Sequence, residues 1–337
     1  MRANTPLLSV EDLSVDLDVF RGRARVVDRV SLHVAEGEVL GLVGESGSGK
    51  SMTAMAVLRL LPHAASVSGG RILLDGTDVL TLSEAQMRRL RGRQVAMIFQ
   101  TSLLVLNPLL RVGDQIARVF EIHLGTTKSV AHARAVALLD RVGIRNPERV
   151  SRSYPHELSG GMVQRALIAV MMAAQPRLLI ADEPTTGLDV TTEVQIFDLL
   201  SEIRSETNVA ILLITHDLGT VATNADRVAI MHAGHIVETG PTRSIFKQPK
   251  HPYTRALLSS IPRFDTNSPA DSQLRGQAPD IFTLRADRCR FVDRCPAAME
   301  ICLDQRPPWV EVSEGHAVFC HLFGGAVAST GGERVVD

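Results

Sequence analysis

Cysteine is absent from the first 288 residues of this 337-residue chain. All four cysteines, Cys289, Cys295, Cys302 and Cys320, stand in its last fifth, a skew that suggests one local site. Long apolar runs are missing too. None approaches the roughly 18 residues that crossing a bilayer takes, so the chain is not expected to span a membrane itself. An excess of one charge is also missing, with 36 basic residues against 37 acidic ones. Nothing global therefore points to nucleic acid. No signal-peptide pattern opens the chain, since Met1-Arg-Ala-Asn-Thr-Pro6 runs straight into strand-like alternation. The cytosolic compartment this implies argues against a disulfide framework. We find no tandem repeat and no low-complexity block. The length suits about two domains, and a hydrophobic fraction of 45% is ample for a core.

What is present is organised around Gly44-Glu45-Ser46-Gly47-Ser48-Gly49-Lys50-Ser51, a G-x-x-x-x-G-K-S loop. The apolar stretch before it, Glu38 to Val43, reads as a buried strand. The stretch after it, Met52 to Leu61, has apolar residues at helical spacing. Strand, glycine loop and helix form the context in which this pattern is a phosphate site. Backbone N–H groups converge there because no Cβ obstructs them, and the helix N-terminus adds partial positive charge. Lys50 is expected to reach the β- and γ-phosphates, and the Ser51 hydroxyl to bind Mg²⁺.

Upstream, residues 7–19 alternate apolar and polar as a half-buried strand does, and Arg25 to Ala35 alternate again. Glu36-Gly37 reads as a hairpin-like turn, so an antiparallel β region is expected before the loop. Phe20, in the turn between the two alternating stretches, is a candidate platform for a purine ring or an ordinary turn aromatic. Downstream come a basic helix at Glu84 to Arg93, read as a solvated face, and an apolar strand ending in Gln100. Helical periods at 114–124 and 130–142 mark an inserted helical subdomain. Ser159-Gly160-Gly161 opens a further helix over 162–174, a second helix N-terminus suited to an anion. The strand from Pro176 ends in Asp182-Glu183. An aspartate at that point suits Mg²⁺, and its neighbour Glu183 suits a general base. A third apolar strand, Val209 to Thr215, ends in His216, within reach of a γ-phosphate in such a layout. Two short strands, from Arg227 and from His235, close this part around Ala233-Gly234.

The loop, Gln100, Leu158-Ser-Gly-Gly-Met162, Leu178-Leu-Ile-Ala-Asp-Glu-Pro184, Gly187-Leu-Asp189 and Thr215-His-Asp217 stand in one order. Together they resemble the nucleotide-binding subunit of an ABC transporter over roughly residues 7–262. The resemblance implies an α/β, P-loop ABC ATPase fold. Its parts are a RecA-like α/β core, an antiparallel β subdomain and a helical subdomain at about 101–172, all within residues 1–262, and a small irregular C-terminal extension at 263–337. It implies that Gly44 to Met52 wrap ATP, that Ser51, Gln100 and Asp182 hold Mg²⁺, and that Glu183, His216 and Gln100 act on the attacking water and γ-phosphate. It also implies that Ser159, Gly160, Gly161 and Asp189 meet the ATP of a second subunit, and that Phe20, with Arg21 as rival, stacks on adenine.

Lys250-His-Pro-Tyr-Thr-Arg-Ala-Leu-Leu258 and Phe99-Gln-x₆-Asn107-Pro108 resemble, more narrowly, the ATPases of dipeptide and oligopeptide permeases. One departure stands beside the match. After Gln100 this chain has Thr101-Ser-Leu-Leu-Val105, where family members often have Asp-Pro-Met-Thr-Ser, next to the surface that grips the membrane subunit. The implied role is the ATP-hydrolysing motor of a peptide importer, peripheral on the cytoplasmic face of the bacterial inner membrane. The implied partners are a paralogous or identical second ATPase, two transmembrane permease subunits and a solute-binding protein, with no nucleic acid. Motors for nickel, glutathione or opine import share these motifs. A soluble ABC ATPase of DNA repair or translation is the reading from another class.

The tail lacks strong periodicity and has little apolar sequence, so it needs a staple. Its C-x₅-C-x₆-C-x₁₇-C spacing is not the paired spacing of zinc ribbons. Four thiolates suit a [4Fe–4S] cluster or Zn²⁺, and the resemblance implies the cluster, with zinc as the alternative. His316 and His321 read as surface histidines rather than ligands.

Overall fold

The computed structural model describes residues 6–100, 105–260, 277 and 279–324. Most of the departure segment, Thr101 to Leu104, lies outside the described residues. In chain order the strands are β1 (Leu8–Val19), β2 (Gly22–Val34), β3 (Val39–Val43), β4 (Ala65–Leu74), β5 (Thr77–Asp78) and β6 (Val95–Ile98). They continue with β7 (Leu178–Asp182), β8 (Ala210–Thr215), β9 (Arg227–His232), β10 (His235–Pro241), β11 (Trp309–Ser313) and β12 (His316–Phe319). The helices are α1 (Lys50–Val57), α2 (Glu84–Leu90), α3 (Val112–Leu124), α4 (Lys128–Arg141), α5 (Pro147–Arg152), α6 (Gly160–Met172) and α7 (Val190–Thr207). Beyond these lie α8 (Leu218–Asn224), α9 (Thr242–Lys247), α10 (Pro252–Ser259) and α11 (Ile301–Asp304). Among the described residues no helix is long and apolar enough to cross a membrane.

The alternating stretches at the start form an antiparallel sheet in the order β2-β1-β4-β5. The turn at Glu36-Gly37 does not make a hairpin, contrary to expectation. It carries the chain from this sheet into a second one, ordered β11-β12-β10-β9-β3-β8-β7-β6. The physical reason lies in β3, whose Val39-Leu-Gly-Leu-Val43 is buried at every position. A strand apolar on both faces belongs between parallel neighbours, and β3 pairs in parallel with β8 and β9. Gly37 has a φ of +67°, a left-handed turn that favours glycine.

The second sheet divides the core by the period of its strands. Leu179, Ala181, Ile211 and Leu213 face the helices of the inserted subdomain, with Ile116, Leu139 and Leu167. Leu178, Ile180, Leu212 and Ile214 face α1 and the antiparallel sheet, with Leu13, Val27, Leu42 and Ala56. Each large side chain buried this way contributes roughly 1.5–3 kcal/mol. The sandwich holds the C-terminal ends of β3, β7 and β8, where the motif residues sit, on a rigid frame.

The described part of the tail is mostly irregular, but Trp309 to Phe319 form a hairpin that joins the core sheet. Its β12 pairs with β10 at Glu238↔Val318 and Thr239↔Ala317. Two buried carboxylates tie it down. Glu238, fully buried, accepts the Lys250 and His251 N–H groups at 2.8 and 2.9 Å and His316 Nε2 at 2.7 Å. His316 is therefore buried rather than on the surface. Asp28, also buried, faces His235 Nε2 at 2.8 Å, Arg306 Nη1 at 3.0 Å and Arg290 Nη2 at 3.2 Å. Burial pushes its carboxyl up, but the pull of His235 and the two arginines prevails and holds it far below the usual carboxylate range.

Candidate nucleotide site

The G-x-x-x-x-G-K-S segment links β3 to α1, as its flanks predict. Gly44 packs so closely that a Cβ would stand 2.0 Å from the Met231 carbonyl oxygen. Gly49 caps α1 with a φ of +106°, and a Cβ there would meet the Val26 carbonyl oxygen at 2.8 Å. Neither position admits another residue without moving backbone. Lys50, buried inside the turn, donates to the carbonyl oxygens of Gly44 at 2.7 Å and Glu45 at 3.0 Å. Burial lowers its pKa, and the charges of Glu183, Asp182 and Glu45 oppose that shift.

At the end of β7, Asp182 is buried, beside Ser51. Burial raises its carboxyl, and the charge of Lys50 opposes that shift. Glu183 follows in the left-handed region, at a φ of +46°. That conformation is uncommon for a side chain other than glycine or asparagine, and the Glu183 N–H is held by the Ile214 carbonyl at 2.8 Å. Its carboxylate meets the other motif residues. Gln100 Nε2 donates to its Oε2 at 2.9 Å, Thr186 Oγ1 donates to the same oxygen at 3.0 Å, and His216 Nδ1 lies 3.0 Å from its Oε1. Burial raises the Glu183 carboxyl, but hydrogen bonds from His216 and Thr186 outweigh it, and the net shift is downward. The group is ionised at neutral pH.

The structure thus brings Gln100, Glu183 and His216 together, beside Lys50, Ser51 and Asp182. Thr186 belongs to the same group and was not picked out from sequence. Ser159 caps α6 without using its hydroxyl for the cap. Ser159 and Gly160 are exposed. Asp189 caps α7, accepting from Thr192 N at 3.0 Å and Thr192 Oγ1 at 2.7 Å. A Cβ on Gly161 would meet Thr192 Cγ2 at 2.8 Å, so the two helix starts are packed side by side. Phe20 stands fully exposed at the tip of the β1–β2 turn. Arg21, its rival, is engaged by the tail, pairing with Asp280 at 3.0 Å and lying 4.9 Å over the Phe282 ring.

The tail thiols are not closed on one point. Burial, together with the charge the other three thiols would carry, pushes the Cys289 thiol up to about 12. Among the described residues, however, no group of three His, Cys, Asp or Glu is placed to hold a metal ion. The [4Fe–4S] or zinc ligand set expected of Cys289, Cys295, Cys302 and Cys320 is not formed. The physical reason is that protonated thiols pack as small apolar groups. Cys289 and Cys295 lie against Phe291 and Tyr253, and Cys320 lies with Val310 and Val318.

A family profile described as ABC transporter matches residues 27–186, and one described as oligopeptide/dipeptide transporter, C-terminal region, matches residues 237–302. The dipeptide transport ATP-binding protein DppD of Bacillus subtilis (strain 168) is 44% identical over 317 residues, covering 94% of each chain. This chain belongs to the ATP-binding subunits of dipeptide and oligopeptide ABC transporters. Within that family, the oligopeptide transport ATP-binding protein OppD of Bacillus subtilis (strain 168) is 44% identical over 93% of this chain and 88% of its own. DppD of Escherichia coli (strain K12) is 43% identical over 94% of this chain and 96% of its own. Among solved structures, cbiO1 from Clostridium perfringens, part of the ABC transporter complex cbiONQ, superposes with a TM-score of 0.62 at 27% identity, covering 72% of this chain and 91% of that one. A dimeric bacterial ABC transporter cassette, MJ0796, gives 0.63 at 24% identity, covering 70% and 99%, and supports the fold alone. The subunits of this peptide-transporter family are ABC ATPases, and the cassette fold found here is theirs.

Proposed function

We infer that the chain is the ATP-hydrolysing motor of an importer of dipeptides or oligopeptides. The observation that carries the hydrolytic part is the convergence of Gln100, Thr186 and His216 on the Glu183 carboxylate, at 2.9–3.0 Å, beside the phosphate loop. In this reading the loop from Gly44 to Met52 cradles the triphosphate of ATP, Lys50 meets its outer phosphates, and Phe20 stacks on adenine. Ser51, Asp182 and the free amide oxygen of Gln100 make a hard-oxygen set suited to Mg²⁺. The metal, when bound, neutralises phosphate charge in the transition state. Glu183 takes a proton from the attacking water. The water oxygen bonds to the γ-phosphorus as the bond to the bridging oxygen breaks, leaving ADP and phosphate. His216 contacts the γ-phosphate and holds the Glu183 carboxylate in place.

The exposed helix start at Ser159-Gly160-Gly161, with Asp189 beside it, completes the ATP site of a second ATPase subunit. Two such chains close around ATP because the nucleotide binds the closed pair better than the open one. Two permease subunits carry the path through the inner membrane, at whose cytoplasmic face the chain sits, and a solute-binding protein delivers the cargo. The test is reconstitution with those subunits in liposomes. A solute-binding protein loaded with a short peptide is expected to stimulate ATP turnover several-fold. Stimulation by nickel, glutathione or an opine instead would replace the cargo. Turnover that responds only to ribosomes or DNA would replace the function.

For the extension, we propose that the four thiols take up a [4Fe–4S] cluster, with zinc as the alternative. Supporting this are the softness of four thiolate ligands and the Cys289 N–H held by the Cys302 carbonyl at 3.2 Å, which ties two of the cysteine segments together. Closing on the group would require deprotonated thiols drawn together, so uptake should couple to folding of the tail. Protein prepared without air is expected to be brown. Colourless protein with one zinc per chain would select zinc, and four titratable thiols without metal would remove the site.

A further inference from the structure

Glu45 is the second residue of the phosphate loop, and three fixtures from the C-terminal part of the chain hold it. The Arg294 guanidinium meets its carboxylate as a fork, Nη1 to Oε2 at 2.8 Å and Nη2 to Oε1 at 2.9 Å. The Tyr253 hydroxyl accepts its backbone N–H at 3.0 Å. The His232 ring stands 3.6 Å from the same carboxylate. The carbonyl of Glu45 in turn accepts from Lys50, so whatever fixes Glu45 also fixes the partner of the loop's cation.

The fixtures are themselves built in. Tyr253, fully buried, packs on His232 at 4.4 Å and on Phe291 at 5.4 Å between ring centres. Arg294 closes the single turn Val292–Arg294, between Cys289 and Cys295, and its N–H bonds to the Phe291 carbonyl. Tyr253, Phe291, Cys289 and Cys295 share one apolar cluster with Val43, the residue that leads into the loop. A bidentate guanidinium–carboxylate pair that is largely shielded from water fixes orientation as well as distance.

We propose that Arg294 is a positioning residue for the nucleotide site, and that the cysteine-bearing extension is thereby a working wall of that site. The inference rests on the ATPase reading above. Arg294 acts through Glu45 and does not itself touch nucleotide. Its effect falls on the shape in which the loop receives ATP rather than on the bond-breaking step, which belongs to Glu183 and its partners.

The test uses the purified full-length chain and steady-state ATP hydrolysis. Arg294→Met is expected to raise KM for ATP about tenfold, with kcat within twofold of the parent. Arg294→Lys should recover only part of the loss, because one ammonium cannot reproduce the fork. The pair Glu45→Gln with Arg294→Met should be no worse than the single variants, since each removes the same link. An unchanged KM in Arg294→Met overturns the inference. So does an equal fall of kcat and KM effects that add across the pair, or a loss that follows the melting temperature alone and persists in Arg294→Lys. Failure of the unmodified protein to bind or hydrolyse ATP would instead remove the ATPase reading.

Discussion

Replacing Glu183 with glutamine should leave ATP bound and lower turnover by about a hundred- to ten-thousand-fold, the usual worth of a positioned general base. The substitution keeps the side-chain length, so Gln100, Thr186 and His216 still have a partner at 2.9–3.0 Å. What disappears is the ionised oxygen that takes the proton of the attacking water. The carboxyl of Glu183 sits below its ordinary pKa, so it is charged throughout the neutral range, and loss of that charge accounts for the effect near pH 7. Single-turnover hydrolysis, read beside equilibrium ATP binding, separates the two. The variant should also collect as an ATP-bound pair on a sizing column, because the step that opens the pair is blocked. Turnover at the parent rate would remove Glu183 from the role of base.

The second large effect is on stability. Asp28→Asn should cost about 3–5 kcal/mol, because it strands the buried Arg290 guanidinium without its counter-charge. The side chains of Asp28 and Arg290 are almost wholly shielded, at 0% and 2% exposure. Burial lowers Arg290 to about 10, and the charge of Asp28 works against that shift. The carboxylate also faces His235 and Arg306, so one substitution loosens β2, β10 and the tail together. A built-in reporter exists. The chain has one tryptophan, Trp309, on the hairpin that adds to the core sheet, 5.6 Å from the Phe319 ring. Its emission should shift to the red in Asp28→Asn at temperatures where the parent is unchanged. Adding Arg290→Met should restore much of the loss, since it removes the stranded charge. If Asp28→Asn melts with the parent, the contacts of Asp28 with Arg290, His235 and Arg306 contribute little.

How far these features can be read from residues depends on their span. The alternation in 7–19 and 25–35 foretells β1 and β2, most clearly in β2, whose buried and exposed residues alternate from Val30 to Val34, whereas β1 is buried on both faces from Leu13 to Asp16. The loop, Asp182-Glu183 and His216 are legible because each motif lies within a few residues at a strand end. The Glu36-Gly37 turn was misleading because two alternating stretches joined to a third strand look the same whether the third joins their sheet or another. Asp28, Tyr253 and Arg294 carried no signal of their own. Their partners lie 262, 208 and 249 residues away, and neither period nor local spacing records such distances. The His-Pro-Tyr segment was visible as a resemblance, but not as the support under Glu45. The hairpin at 309–319 was hidden by its shortness, and the gathering of the cysteines gave no hint that their thiols would pack into separate apolar clusters.

The span between Glu45 and Arg294 also sets an order in time. On the ribosome the phosphate loop is made 249 residues before the arginine that braces it. At roughly 5–20 residues per second, that interval is about 12–50 s. The strands that flank the loop can assemble during it, since β3, β8 and β9 are complete by His232. A nascent chain therefore carries an assembled loop that meets the Tyr253 hydroxyl first and the Arg294 fork only 41 residues later. Truncation between Tyr253 and Arg294 leaves the loop with the hydroxyl but permanently without the fork.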